Sequence, residues 1–247
     1  MKYFIDTEFL EGTQKKTILG ISYGNTKPTI DLISIGIVAE DGREYYAVSK
    51  DFNLKEAWNR WQQRTGEGDR NNIEPRLYWI RENVLKLIFN EWKQEINGKI
   101  VRLGLPLPLN EMKFSYKNFK YCIKCIGKTN KQIAEEVKEF IYKGSECNNN
   151  ISNWGKEIKY EFYGYYSDYD WVVFCWLFGK MNELPNGFPY YCIDLKQELD
   201  SWINRQPKGN YTHESLKKHL NYPKQINEHN ALRDAKWNKE LYEFLKK

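Results

Sequence analysis

The chain has 247 residues, with 38 Lys and Arg against 33 Asp and Glu, a formal net charge of +5, and 16% aromatic residues. That length can bury a sizeable core, the aromatic load excludes wholesale disorder, and no run of about 18 apolar residues exists to cross a membrane as a helix. The mild positive charge permits a polyanionic partner but falls short of the basic signature of a dedicated nucleic-acid binder.

Residues 2–9 (KYFIDTEF) predict a short strand, and the polar, glycine-containing stretch 11–29 a hairpin excursion. Two more strands are predicted at 30–39 and 43–49. The Asp-Gly pair in Glu40-Asp41-Gly42 joins them as a tight hairpin. An antiparallel arrangement of three strands thus opens the chain. Residues 54–127 read as mixed helix and loop, with Trp58, Trp61, Trp79 and Trp92, a Gly/Asn-rich patch at 66–72, and Leu105-Pro106-Leu107-Pro108. Thr129 and Gln132 form a capping box for a helix over 129–141, whose Ile133, Val137, Phe140 and Ile141 share one face.

Asn148-Asn149-Asn150 predicts a loop and residues 159–166 a strand. The run 169–178 is apolar on every side, which predicts a buried helix with Trp171, Cys175 and Trp176 in the core. After a loop at 185–189, a short strand at 190–194 leads into a helix at 195–203. Thr212 caps a helix over 214–220, and the last helix runs from about 230 to 246. This order predicts an α/β fold in a single domain, a central mixed sheet with helices on its faces. Cys122 and Cys125 form a CxxC pair without the further ligands that zinc requires, and read as unpaired thiols in a strand or turn. Five cysteines in no even framework suit reduced thiols. The N-terminal MKYFIDTEF carries an acidic pair where a signal peptide needs an apolar run, so a cytoplasmic location is expected.

The informative anomaly is the placement of carboxylates among apolar residues. Asp6 and Glu8 stand two apart in the first strand, so both side chains point to one face. Partly buried together they would repel each other unless a cation neutralised them; a solvated strand end is the plainer reading. Asp170 enters at the first turn of the apolar helix, where a carboxylate can also simply favour the helix N-terminus. Asp168 is the better candidate for ordinary capping. In the last helix Ala231, Ala235, Leu241, Tyr242 and Leu245 cluster on one side, and Asp234 falls inside that cluster. Desolvation makes such a placement destabilising unless the charge is paired. His229 precedes Asp234 by five residues. Four hard oxygen donors on three elements suit Mg²⁺ or Mn²⁺ rather than zinc, and two such ions clamp the oxygens of a phosphoryl displacement. An imidazole nearby suits removal of a proton from water. The chemistry implied is metal-assisted phosphodiester hydrolysis.

These residues resemble the DEDDh 3′–5′ exonucleases. Phe4-Ile5-Asp6-Thr7-Glu8-Phe9 looks like their first motif, Tyr165-Tyr166-Ser167-Asp168-Tyr169-Asp170 like the second, and His229-Asn230-Ala231-Leu232-Arg233-Asp234-Ala235 like the third. The compact bacterial and phage 3′–5′ exoribonucleases are the closer branch. Leu32-Ile33-Ser34-Ile35-Gly36-Ile37-Val38 with Tyr45-Tyr46, Trp79-Ile80-Arg81-Glu82-Asn83-Val84-Leu85, and Asp194-Leu195 resemble its further elements. The resemblance covers roughly residues 1–55, 78–85 and 129–247, and leaves about 86–128 as a family-atypical insertion.

The resemblance implies a ribonuclease H-like fold and two ions of Mg²⁺ or Mn²⁺. Asp6 would bridge them, Glu8 and Asp234 would hold the ion that activates water, Asp170 would help place the second, and His229 would be the general base. Asp168 is the alternative to Asp170, and Tyr165 and Tyr166 stand where the family carries Asn or a small residue. The implied activity is 3′–5′ exonucleolytic release of 5′-mononucleotides from single-stranded nucleic acid, RNA favoured over DNA, with no membrane partner. A DNA exonuclease of the same family and a catalytically silent binding module of the same fold are the alternatives. The oligomeric state is left open, a homodimer being one option.

Overall fold

Alternation along β1 (Lys2–Gly12) sets up the architecture: Tyr3, Phe4, Ile5, Thr7 and Leu10 are all buried, so both faces of this strand are covered. The computed structural model describes residues 1–19, 21–61, 77–102, 111–146, 159–207, 211–226 and 228–246. The expected patch at 66–72, the Leu105–Pro108 tract and the Asn148–Asn150 loop lie outside the described residues. After β1, β2 (Lys15–Ile18) and β3 (Ile21–Asn25) pair antiparallel in a separate two-stranded sheet, which is the expected excursion.

Strand β4 (Thr29–Ala39) lies beside β1. The amide of Glu40, just past its end, donates to the carbonyl of Lys2 at the start of β1 over 2.9 Å, so the two run in opposite directions. β5 (Glu44–Val48) pairs antiparallel with β4. The turn between them closes as its Asp-Gly pair predicts. Asp41 Oδ1 accepts from the Arg43 amide at 3.0 Å, and Gly42 takes φ +89°, which other residues rarely adopt.

Next in the chain come α1 (Leu54–Asn59), a π-helical turn (Arg81–Leu85), α2 (Lys86–Arg102) and α3 (Tyr116–Ile126). Cys122 and Cys125 both lie in α3 rather than in a strand or turn. The helix expected at 129–141 is α4 (Asn130–Glu146), and its capping box forms: Gln132 N donates to Thr129 Oγ1 at 3.1 Å and Thr129 N to Gln132 Oε1 at 2.9 Å. β6 (Glu161–Gly164) joins β1 in parallel, α5 (Asp168–Phe178) follows, and β7 (Ile193–Asp194) pairs parallel with β6. Only two residues of the expected strand 190–194 are extended in the sheet. The chain ends in α6 (Leu195–Arg205), α7 (His213–Lys217) and α8 (Ala231–Leu245). The fold is α/β, a mixed five-stranded sheet ordered β5-β4-β1-β6-β7 and flanked by helices.

Two compact units divide these elements. Met1–Phe9, Leu32–Ser49 and Lys128–Lys247 carry the five-stranded sheet and α4 to α8. On one face of this sheet Tyr3 stacks on Phe162, which packs against Trp171 and Phe174 of α5. On the other, Phe4 joins Leu195, Leu199, Leu216, Ala235 and Leu241 from α6, α7 and α8. Each such large side chain, fully buried, contributes about 1.5–3 kcal/mol. A Cβ at Gly36 in β4 would collide with the Ala231 carbonyl and Leu232 Cα, so glycine there lets the start of α8 lie directly on the strand.

Leu10–Asp31 and Lys50–Gly127 form the second unit. Trp58, Phe89, Phe114 and Phe119 pack together in it, and the Arg81 guanidinium sits 3.7 Å from the centroid of the Tyr78 ring.

The apolar run in α5 is not buried all round. Trp171 and Cys175 are in the core, whereas Tyr169, Val172 and Trp176 lie on an exposed face, Trp176 at 51%. A uniformly apolar helix has no periodicity to tell which side meets the sheet, so the expectation for Trp176 failed on packing alone.

Candidate metal centre

Asp6 and Glu8 follow Phe4 at alternate positions of β1 and therefore share the face on which α8 packs. Asp234 lies in the first turn of α8, 7% exposed. One carboxylate oxygen from each of Asp6, Glu8 and Asp234 lies within 4.8 Å of the other two. The three line a cavity of about 260 Å³ together with Asp170, His229, Tyr165, Tyr166 and Trp237.

Asp234 is oriented at both oxygens. Its Oδ2 accepts from the His229 amide at 2.8 Å, and its Oδ1 from Gln225 Nε2 at 2.7 Å. Asn230 caps the helix, its Oδ1 accepting from the Arg233 amide at 3.0 Å. His229 precedes that cap at φ +71°, a left-handed turn held by the hydrogen bond to Asp234. Histidine tolerates this region better than most side chains.

Asp170 reaches the cavity from the other face of β1. Thr7 lies between Asp6 and Glu8, so its side chain points away from theirs. Asp170 Oδ1 accepts from the Thr7 amide at 2.8 Å and from Thr7 Oγ1 at 2.5 Å. Asp170 is 7% exposed and lies outside the group of three that meets within 4.8 Å. Asp168 is exposed at the first residue of α5. Asp194 caps α6 through the Lys196 amide at 2.6 Å, and its other oxygen accepts from the Ser167 amide at 3.2 Å, which ties down the turn leading into α5.

Burial and crowding leave these acids reluctant to ionise. Asp6 is pushed well above the usual carboxylate range, first by burial and then by Asp170, Glu8 and Asp234. Glu8 is pushed up to about 8 by burial and by Asp234 and Asp170. Asp170 rises to about 6 through burial, opposed by its two hydrogen bonds from Thr7. Asp234 is raised by burial, opposed by Gln225 and His229. Like charges held this close call for a cation, and an all-oxygen donor set fits a hard divalent ion such as Mg²⁺ or Mn²⁺.

Three supporting residues escaped the sequence reading. Asn238, 1% exposed, donates through Nδ2 to the Ile5 carbonyl at 2.8 Å and so ties α8 to β1 beside Asp6. It lies one turn after Asp234 on the same buried stripe, and the periodicity that singled out Asp234 could have found it. Thr7 could have been noticed as a polar residue inside a buried strand. Gln225 carries no local signal.

No family model matches the chain. Two curated relatives are similar to it, proteins named 3′–5′ exoribonuclease in two strains of Mycobacterium tuberculosis. Each is 28% identical over 197 residues, covering 80% of this chain and 73% of the relative.

Proposed function

We propose that the chain is a metal-dependent 3′–5′ exonuclease of the DEDDh type that degrades single-stranded RNA to 5′-mononucleotides in the cytoplasm. The observation that carries this reading is the convergence of Asp6, Glu8 and Asp234 within 4.8 Å. The similarity to two exoribonucleases supports the choice of RNA. On this reading the fold is ribonuclease H-like, and the chain is one exonuclease domain with an insertion at about 86–128.

Asp6, Glu8, Asp170 and Asp234 would hold two ions of Mg²⁺ or Mn²⁺. Bound there, the ions supply Lewis-acid stabilisation of the negative charge on the scissile phosphate. His229 takes a proton from the attacking water at an imidazole nitrogen. The water oxygen bonds to phosphorus, the bond to the bridging O3′ breaks, and that oxygen leaves with its electron pair and is protonated from solvent. Asp234 holds the His229 backbone, which keeps the base beside the acids it serves. Gln225 and Thr7 occupy carboxylate oxygens of Asp234 and Asp170, so neither acid can swing freely.

Matched RNA and DNA oligonucleotides, single-stranded, blunt and circular, incubated with Mg²⁺ or Mn²⁺ at fixed salt test the reading. The expected result is stepwise loss from a single-stranded 3′ end, faster for RNA. Faster loss of DNA overturns the sugar assignment, and cutting of circles overturns the exonuclease assignment.

A further inference from the structure

Tyr166 sits at the mouth of the carboxylate cavity in a conformation that the fold alone does not explain. Its φ is +55°, in the left-handed region where a bulky side chain is strained and Gly or Asn is not. Its ring is 65% exposed, so the strain is not offset by burial. The ring is nevertheless held. Tyr165 meets it edge-on at 4.9 Å and 73°, and Tyr165 itself meets Trp237 at 5.0 Å and 83°. Lys196 Nζ stands 5.7 Å from the Tyr166 centroid, and both oxygens of Asp200 fix that ammonium at 2.5 and 2.6 Å. A braced, exposed aromatic ring at the rim of a phosphodiester-cleaving site is a stacking surface for an unpaired base.

We propose that Tyr166 stacks on a nucleobase flanking the scissile phosphate and so sets how a single strand is seated, with Lys196 and Asp200 as positioning residues for its ring. This rests on the exonuclease reading and adds to it the residue that grips the strand. The plainest structural alternative, a tyrosine needed for folding, conflicts with its exposure and its backbone conformation.

Steady-state cleavage of a short 5′-labelled oligoribonucleotide by wild type, Tyr166→Gly and Tyr166→Phe tests the proposal, alongside thermal melting. Tyr166→Gly is expected to raise KM about 10-fold with kcat little changed, a range typical of one lost stacking contact. Its melting temperature should equal or exceed that of wild type, because the strain is relieved. Tyr166→Phe should behave as wild type. With an abasic ribose at one of the two positions flanking the scissile phosphate, wild type and Tyr166→Gly should converge. An unchanged KM in an active Tyr166→Gly enzyme overturns the stacking role alone, as does a KM penalty that persists with an abasic ribose at either position. Wild type that cleaves no oligonucleotide with either metal overturns the exonuclease reading and this inference together.

Discussion

Asn238 Nδ2 donates to the Ile5 carbonyl over 2.8 Å, joining α8 to β1 one residue before Asp6 and one helical turn after Asp234. This bond ties together the two elements that carry Asp6 and Asp234. Asn238→Leu should destabilise the protein by about 1–3 kcal/mol, the cost of leaving a buried polar group without its partner. Urea denaturation measures that loss, and a Mn²⁺ titration should show weaker binding. Unchanged stability and unchanged Mn²⁺ affinity would count against a role in spacing the acids.

Gly36 acts on the same spacing from the sheet side. Gly36→Ala puts a Cβ into the Ala231 carbonyl and must push away the start of α8, which carries Asp234. Overpacking of this kind costs about 1–3 kcal/mol. Nuclease activity should fall more steeply than stability, because displacement of a reacting group can cost about 100-fold. A variant that folds with full activity contradicts the close approach.

For His229 the expected effect is on the chemical step. His229→Ala should slow hydrolysis by about 10²–10⁴-fold, the range for a positioned base, while Mn²⁺ affinity stays nearly unchanged. Calorimetric titration of the variant separates the two. A large loss of metal binding would make His229 a ligand instead of the base.

In metal-free protein the raised carboxylates fix the sign of a pH dependence. Asp6, Glu8, Asp170 and Asp234 all bind protons more tightly folded than unfolded. Their contribution is therefore favourable at low pH and is lost as pH rises from the unfolded range near about 4 through about 8, the value for Glu8. With a chelator present, Asp6→Asn should gain stability over wild type across that interval, and Mn²⁺ should cancel the gain. Melting curves of both proteins across the interval measure it. A gap that narrows with rising pH reverses the sign and contradicts the raised proton affinity of these acids.

The legible parts of the sequence were those with a local cause. The Asp-Gly turn, the Thr129 capping box and the Asp234 anomaly each rest on residues within one element or its boundary. The strands at either side of Gly42 follow from strand-forming runs joined by that turn, and β4 is buried from Leu32 to Ala39 without alternation. Trp176 failed because an apolar run such as 169–178 carries no sign of which face meets the sheet. The expectation of a strand or turn at Cys122 and Cys125 fails because α3 has its apolar face at helical spacing through Phe119, Cys122 and Ile123. The hold of Thr7 on Asp170 spans 163 residues and that of Asn238 on Ile5 spans 233, so no local pattern could have paired them.

The role proposed for Asp6, Glu8 and Asp234 is to hold the cations that serve 3′-end hydrolysis. Its most direct test is a time course of a 5′-labelled single-stranded RNA with Mn²⁺, comparing wild type, wild type with chelator, and Asp234→Asn. A ladder that shortens from the 3′ end is expected in wild type alone, with almost no product in the other two. Full-rate laddering by Asp234→Asn, or degradation that survives the chelator, would contradict it.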